Sequence, residues 1–140
     1  MNDGDDVLAI FGATVKALRS RFDGLLREHG VRLGQYQLLR ALWERDGMTP
    51  RELAEHAAVE MPTVTRTVQR MVRDGFVRRE AHPSDARSVR ILLAPKGKAL
   101  ETAAVDLRRE MVKAALAGIS PEERSNLAAT LEHVLQNLTA

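Results

Sequence analysis

The 140-residue chain contains no cysteine, and only 4% of its residues are aromatic. The first absence excludes disulfides, thiolate nucleophiles, iron–sulfur ligation and cysteine-based redox sensing. It is compatible with a reducing compartment, and a cytoplasmic location is the expectation. No apolar run approaches the ~18 residues that a membrane span needs, and no charged-then-apolar leader opens the sequence, so neither membrane insertion nor ordinary secretion is expected. His29, His56, His82 and His133 are scattered without the spacing of metal ligands, which speaks against a metal site. There is no glycine-rich phosphate loop and no activated serine arrangement. Arg109 with Glu110, and Glu122 with Glu123, read as helix-surface charge rather than acid/base pairs. Neither enzyme activity nor a cofactor is expected.

What is present is an ordinary globular composition, 44% hydrophobic and 29% charged, enough for one modest core. The formal net charge is only +2, which many proteins without nucleic-acid partners share. Its distribution is more informative. Residues 61–90 carry Arg66, Arg70, Arg73, Arg78, Arg79, Arg87 and Arg90 against Asp74, Glu80 and Asp85, whereas Asp3, Asp5 and Asp6 make the N-terminus acidic. A basic centre in a nearly neutral chain is an electrostatic footprint.

The hydrophobic period places the elements. The first six residues read as a polar tail. From Val7 to about His29, Ile10, Phe11, Val15, Leu18, Phe22, Leu25 and Leu26 recur at helical spacing. A second helix is predicted from about Gln35, with Leu38, Leu39, Leu42 and Trp43, ending before Asp46–Gly47. Thr49, Pro50 and Glu52 form a start signal: a hydroxyl for the free amides, a proline at the first helical position and a capping-box acid. That helix is short, with Leu53, Ala54 and Ala57 inward. After a turn at Val59–Glu60 comes a helix whose Val64, Val68, Met71 and Val72 share one side, while Pro62, Arg66, Gln69, Arg70 and Arg73 point the other way. Two short helices joined by a tight turn, the second showing arginines outward, form a helix-turn-helix.

FVRRE and VRILL read as two short strands, with HPSDAR as the turn between them; a basic hairpin there is a wing. Two helices follow. One runs from Pro95 to about Ala117, with Leu100, Ala104, Leu107 and Met111 along one face. The last starts at Ser120–Pro121 with Glu123 as capping acid and is expected to bury Leu127, Leu131, Val134, Leu135 and Leu138. The fold class is therefore mainly α: a winged helix-turn-helix with a short β-hairpin wing and a helical dimerisation region. The expected organisation is residues 1–33 for an N-terminal dimerisation helix, 34–94 for the DNA-binding region and 95–140 for C-terminal dimerisation helices. The flanking helices carry more apolar residues than a small winged helix requires, so a second copy is the expected partner. A dimer would read a palindrome, with recognition helices about 34–36 Å apart or a multiple of that.

LAEHAAVEMPTVTRTVQRMVRDGFVRR followed by HPSDARSVRILLAPKGKAL resembles the MarR family of transcriptional regulators. The likeness includes Asp85 and Arg87, the alternating strand after them, Leu93 and Lys96–Gly97, and the order of elements extends it over essentially the whole chain. Two positions depart from the pattern: Ala94 stands where a threonine or serine often precedes the post-wing helix, and Gly34 where a more polar starter is common. The resemblance implies a homodimer that binds double-stranded DNA, usually as a repressor or autoregulator, often released by a small aromatic or lipophilic ligand. It places Arg87 where a wing-tip arginine enters the minor groove, with Asp85 orienting it, and places Thr63, Thr65 and Arg66 in the recognition segment. The missing cysteines argue against the family's thiol-sensing peroxide branch and, more weakly, against its metal sensors.

Each candidate also has a plainer reading. Arg66, Arg70 and Arg73 could form a solvated basic face, but the accompanying turn and wing favour DNA contact. Thr63 and Thr65 could cap, pack or touch DNA; Gln69 has the groups to read adenine; Asp85 could simply cap a turn. Phe22, Leu25, Leu26, Tyr36, Leu39, Trp43 and Met111 could wall a ligand pocket or be ordinary core. An activator or anti-silencer of the same fold, or a winged-helix scaffold for another acidic partner, would carry much the same sequence.

Overall fold

A computed structural model describes residues 2–140. Among these the helices are α1 (Asp3–Arg27), α2 (Leu33–Glu44), α3 (Pro50–Ala57), α4 (Met61–Arg73), α5 (Pro95–Ala115) and α6 (Pro121–Thr139), and the strands β1 (Val77–His82) and β2 (Asp85–Leu93) pair antiparallel. The mainly α winged helix-turn-helix is thus the observed fold. The chain divides into two compact units, one ending at Arg108 and the other covering Arg109–Ala140.

Local chemistry sets the helix starts. The residues expected as a polar tail are helical from Asp3, because the Asn2 side chain accepts the Asp5 N–H at 3.0 Å. Asp3, Asp5 and Asp6 then lie in the first turn, where negative charge complements the helix dipole; Met1 lies outside the described residues. Helix α2 also begins earlier than the periodicity predicts. The Leu33 N–H donates to Asp23 Oδ1 at 2.8 Å and the Arg32 N–H to Gln35 Oε1 at 3.0 Å, so side chains satisfy amides that a starting helix leaves free. Thr49 caps α3 as expected, accepting the Glu52 N–H at 3.2 Å. Ser120 and Glu123 form a reciprocal capping box at α6 with both bonds at 3.1 Å.

In the first unit the core is built around Leu26, Leu39, Leu42, Leu53, Val64 and Met71, all inaccessible to solvent. Four consecutive helices, α1 to α4, meet there, and the wing closes one end. Its root is held by two bonds to the α2–α3 connection, whose Asp46 also accepts a local amide. The Ile91 N–H donates to the Met48 carbonyl at 2.7 Å, and Asp46 Oδ1 accepts the N–H of both Gly47 and Leu93 at 2.9 Å. The α2–α3 connection therefore acts as a short third strand beside the hairpin. The hairpin is longer, and its turn tighter, than expected: His82 already faces Asp85, leaving only Pro83 and Ser84 between the strands.

The junction after α4 is closely packed. Gly75 takes φ 83°, a left-handed conformation that glycine adopts without the Cβ penalty. The Phe76 carbonyl then accepts the Ala94 N–H at 2.9 Å. Gly97 packs against the same carbonyl so closely that an added Cβ would lie 2.2 Å from its oxygen. The Trp43 indole N–H donates to the Gly97 carbonyl at 2.9 Å.

The second unit departs from expectation. Leu127, Leu131, Leu135 and Leu138 are exposed in the single chain rather than buried, and Val134 is half-buried. Two helices alone supply no further layer against which such a stripe can be covered. Along α1, Val7, Leu8, Ile10, Phe11, Val15 and Leu18 are likewise exposed, whereas Phe22 and Leu26 enter the core of the first unit.

Replacing Gly97 by alanine forces the Phe76 backbone to move. The expected loss is about 3 kcal/mol, the upper range for overpacking, read as a lower midpoint in urea unfolding followed by circular dichroism. An unchanged midpoint would mean that this approach is looser than described.

Candidate nucleic-acid interface

The helix-turn-helix is closed by an unusual residue. Ala58 ends α3 at φ 54°, and the Val59 N–H returns to the Ala54 carbonyl at 3.0 Å, turning the chain sharply into α4. Pro62 lies within the first two positions of that helix, which lack intrahelical amide bonds in any case. Val64, Val68 and Met71 are at most 3% exposed and anchor α4 in the core. Arg66, Arg70 and Arg73 repeat the same spacing two residues later, so they form a parallel stripe on the opposite, exposed side. Thr63, Thr65 and Gln69 are exposed on this helix too. The Thr65 hydroxyl donates to the Met61 carbonyl at 3.1 Å, a local bond within the first turn.

The arginines differ in their partners. Arg73 Nε lies 3.3 Å from Asp74 Oδ1. Arg78 and Arg90 both pair with Glu80, the second at 3.0 Å, so Glu80 internally compensates part of the wing. Arg66 and Arg70 form no ion pair among the described residues. They are the cationic heads of α4 left to solvent.

Arg87 is presented by a backbone irregularity that the sequence pattern did not reveal. Ala81 pairs with Val89 but His82 with Asp85, so β2 carries Ala86, Arg87 and Ser88 as additional residues. Such a bulge redirects a side chain out of the ladder, and the Arg87 side chain is 93% exposed. Asp85 Oδ1 accepts the Arg87 backbone N–H at 3.0 Å and meets its Nε only at 3.5 Å. The carboxylate therefore shapes the turn more firmly than it restrains the guanidinium, which favours the turn-cap reading of Asp85.

Three polar residues that the sequence reading passed over position this surface. Gln35 is 4% exposed; it donates from Nε2 to Asp74 Oδ2 at 3.0 Å, joining the start of α2 to the end of α4. That amide bond, aided by Arg73, holds the Asp74 carboxyl below the usual carboxylate range. The Leu33 N–H, aided by Arg32 and Arg27, does the same for Asp23. A cleft of about 490 Å³ lies beside them, lined in part by Arg32, Thr67, Arg70 and Arg73. A buried glutamine between two helix ends was the available signal, but its partner lies 39 positions away and no local pattern identifies it.

The seven residues considered for a ligand pocket separate. Leu26 and Leu39 are wholly buried, and the Phe22 and Tyr36 rings pack edge to face at 4.8 Å; Leu25 is half-buried. Tyr36 and Trp43 line a cleft of about 210 Å³ with Arg40, Glu101, Ala104 and Arg108. Met111 belongs to the second unit. Among the described residues no three His, Asp or Glu side chains are grouped to hold a metal, and no helix is long and apolar enough to cross a membrane.

A helix-turn-helix with a basic wing, exposing arginines from its second helix, defines the winged-helix class of DNA-binding proteins. The sequence profile of the MarR family matches residues 31–89. An HTH-type transcriptional regulator of Mycobacterium tuberculosis is 33% identical over 105 residues, which are 75% of this chain and 73% of that protein. The crystal structure of the transcriptional regulator SlyA superposes with a TM-score of 0.80 at 30% identity, covering 95% of this chain and 94% of that one. Bordetella bronchiseptica BpsR, whose DNA binding is regulated by 6-hydroxynicotinic acid, shares the fold with a TM-score of 0.82 at 19% identity, over 95% or more of both chains. The chain belongs to the MarR family of transcriptional regulators.

Because the folded-state pKa values of Asp23 and Asp74 are depressed, their contribution is complete above the ordinary carboxylate pKa near 4 and is lost as pH falls through the lower, folded values. Urea unfolding at a series of acid pH values is expected to show a steeper loss of stability below about pH 4 in the native protein than in the Asp23→Asn/Asp74→Asn variant. Parallel acid profiles would show that these carboxylates do not carry the dependence.

Proposed function

We propose that the protein is a homodimeric, sequence-specific repressor that occupies a palindromic operator, with α4 in the major groove and the wing at the minor groove. The observation that carries this reading is the exposed Arg66–Arg70–Arg73 stripe, set opposite the buried Val64–Val68–Met71 stripe on the same helix. On this reading Arg66 and Arg70 meet phosphates or guanine edges, Arg73 meets a phosphate beside its Asp74 partner, and Gln69, Thr63 and Thr65 add polar contacts. Arg87 enters the minor groove, whose negative potential attracts guanidinium, from a turn shaped by Asp85. The work is binding, carried out in the cytoplasm, and needs neither cofactor nor catalysis.

Dimerisation rests on the exposed faces. On α1, Leu8, Phe11, Val15, Leu18 and Phe22 follow alternating spacings of three and four; on α6, Leu127, Leu131, Val134 and Leu138 do the same. That period is the seam of helices packed side by side, and most of these residues are exposed in the single chain. Residues 1–33 and 95–140 are accordingly the proposed dimerisation regions flanking the DNA-binding region at 34–94. A small aromatic or lipophilic effector is proposed at the Tyr36–Trp43 cleft, where rings adjoin the cationic Arg40 and Arg108; the aromatic acid acting on BpsR is a ligand of that class. Such a ligand shifts DNA affinity only by binding one spacing of the two DNA-binding regions better than the other.

Fluorescence anisotropy with DNA from the region upstream of the coding sequence tests the reading, with a scrambled duplex and a salt series as controls. Selectivity of roughly 10³-fold or more over the scrambled duplex is expected. Arg66→Ala and Arg70→Ala should each weaken binding about tenfold, and Arg87→Ala should also lower the salt slope by about one if it meets a phosphate. Binding indifferent to all three substitutions would favour a scaffold for another acidic partner.

A further inference from the structure

The cleft of about 490 Å³ beside Asp23 and Asp74 is shared by two parts of the chain. Gly30, Arg32 and Gly34 line it from the α1–α2 connection and the start of α2, and Thr67, Arg70 and Arg73 line it from α4. At about 100° per residue, Thr67, Arg70 and Asp74 share one flank of α4. Arg70 therefore belongs both to the exposed arginine stripe and to the cleft, which adjoins the edge of that stripe. Both carboxylates of the cleft are already engaged. Asp74 accepts from Gln35 and pairs with Arg73, and Asp23 accepts the Leu33 N–H and pairs with Arg27 and Arg32.

Arg32 is held at one atom only. Its Nε meets Asp23 Oδ1 at 3.2 Å, and its side chain is 63% exposed. The rest of the guanidinium fork makes no bond among the described residues, so its Nη donors remain for a second acceptor. Gly34 is an independent sign. It has no positive φ, and a Cβ added there would meet nothing within 4 Å. Neither left-handed geometry nor internal packing requires this glycine, in contrast to Gly97, and glycine is a poor helix former. What the missing side chain leaves is room for something outside the chain to approach the backbone.

We propose that this cleft seats a backbone phosphate of DNA between Arg32 and Arg70, over the open surface at Gly34. The inference rests on the reading of α4 as the helix in the major groove, and deepens it. A helix in that groove is bordered by sugar–phosphate backbone, so a cation beyond the edge of its exposed face meets phosphate rather than base. Arg32 exchanges its single Asp23 contact for charge-assisted bonds to the phosphate oxygens. Asp23 stays on the Leu33 N–H and becomes a like-charged neighbour that limits affinity. The contact carries no sequence information; it positions α4 in the groove.

Fluorescence anisotropy with the upstream duplex and its scrambled control, over a salt series, tests the proposal on Arg32→Ala, Gly34→Glu and Asp23→Asn, with urea unfolding of each variant alongside. Arg32→Ala should weaken both duplexes about fivefold and lower the salt slope by about one. Gly34→Glu puts bulk and negative charge into the cleft but suits the first turn of α2. Its DNA affinity should fall about tenfold while its unfolding midpoint holds or rises. Asp23→Asn keeps an acceptor for the Leu33 N–H and removes the repulsion, so affinity should rise about threefold. If the Arg32–Asp23 pair is only structural, Arg32→Ala and Asp23→Asn change affinity in the same direction. That outcome, or native-like DNA binding by the Gly34→Glu protein, would overturn the phosphate seat while Arg66→Ala and Arg70→Ala still weaken binding. A native chain that binds neither duplex would overturn the DNA-binding reading itself, and this inference with it.

Discussion

Asp74, Gly75 and Phe76 form the joint on which the DNA-binding unit depends. Asp74 ends α4 and accepts the Gln35 amide from α2, while its own carbonyl takes the Lys96 Nζ at 2.8 Å. Gly75 reverses the chain, the Phe76 N–H returns to the Met71 carbonyl at 2.9 Å, and the Phe76 carbonyl receives the Ala94 N–H. Lys96 also lies over the Phe76 ring, 4.4 Å from its centre. Within three residues, α4, α2, the wing and the start of α5 are brought into fixed relation. The absence of a side chain at Gly97 permits that closeness, which gives the Lys96–Gly97 pair a steric meaning beyond its place in a motif.

The same economy governs charge. A basic segment makes an interface only if its cations are not already used, and here the wing uses several. Glu80 engages Arg78 and Arg90, and Asp74 engages Arg73, whereas Arg66 and Arg70 extend outward and the nearly fully exposed Arg87 is held only by a 3.5 Å contact with Asp85. Exposed pairs of this kind contribute little stability on their own. Their larger effect is to decide which guanidinium groups are restrained before any partner arrives.

Much of this architecture was legible because its signals are local. Thr49, Pro50 and Ser120, Pro121 announced two helix starts, and the period of Val64, Val68 and Met71 identified the buried side of α4. The reading failed where distant atoms complete a local structure. The start of α2 requires Asp23 from the preceding helix, the root of the wing requires Asp46 and Met48, and the presentation of Arg87 depends on a pairing irregularity. Ala81 and Val89 carry no residue type that marks the change of register. The aromatic residues considered together for a pocket were similarly divided by packing: Phe22 and Tyr36 enter the core, while Trp43 uses its indole N–H on the Gly97 carbonyl.

The apolar stripe of α6 shows why a correct period can give the wrong burial in one chain. Periodicity reports that a face requires a neighbour, not that the neighbour lies in the same chain. With Leu127, Leu131, Leu135 and Leu138 all exposed, leaving that face in water forgoes the burial free energy of roughly 25 cal/mol per Å² that makes association favourable. Hydrophobic attraction is non-directional, however, so such a stripe specifies contact better than it specifies register. In the proposed dimer, register would decide the spacing of the two DNA-binding regions, and therefore which operator they fit together.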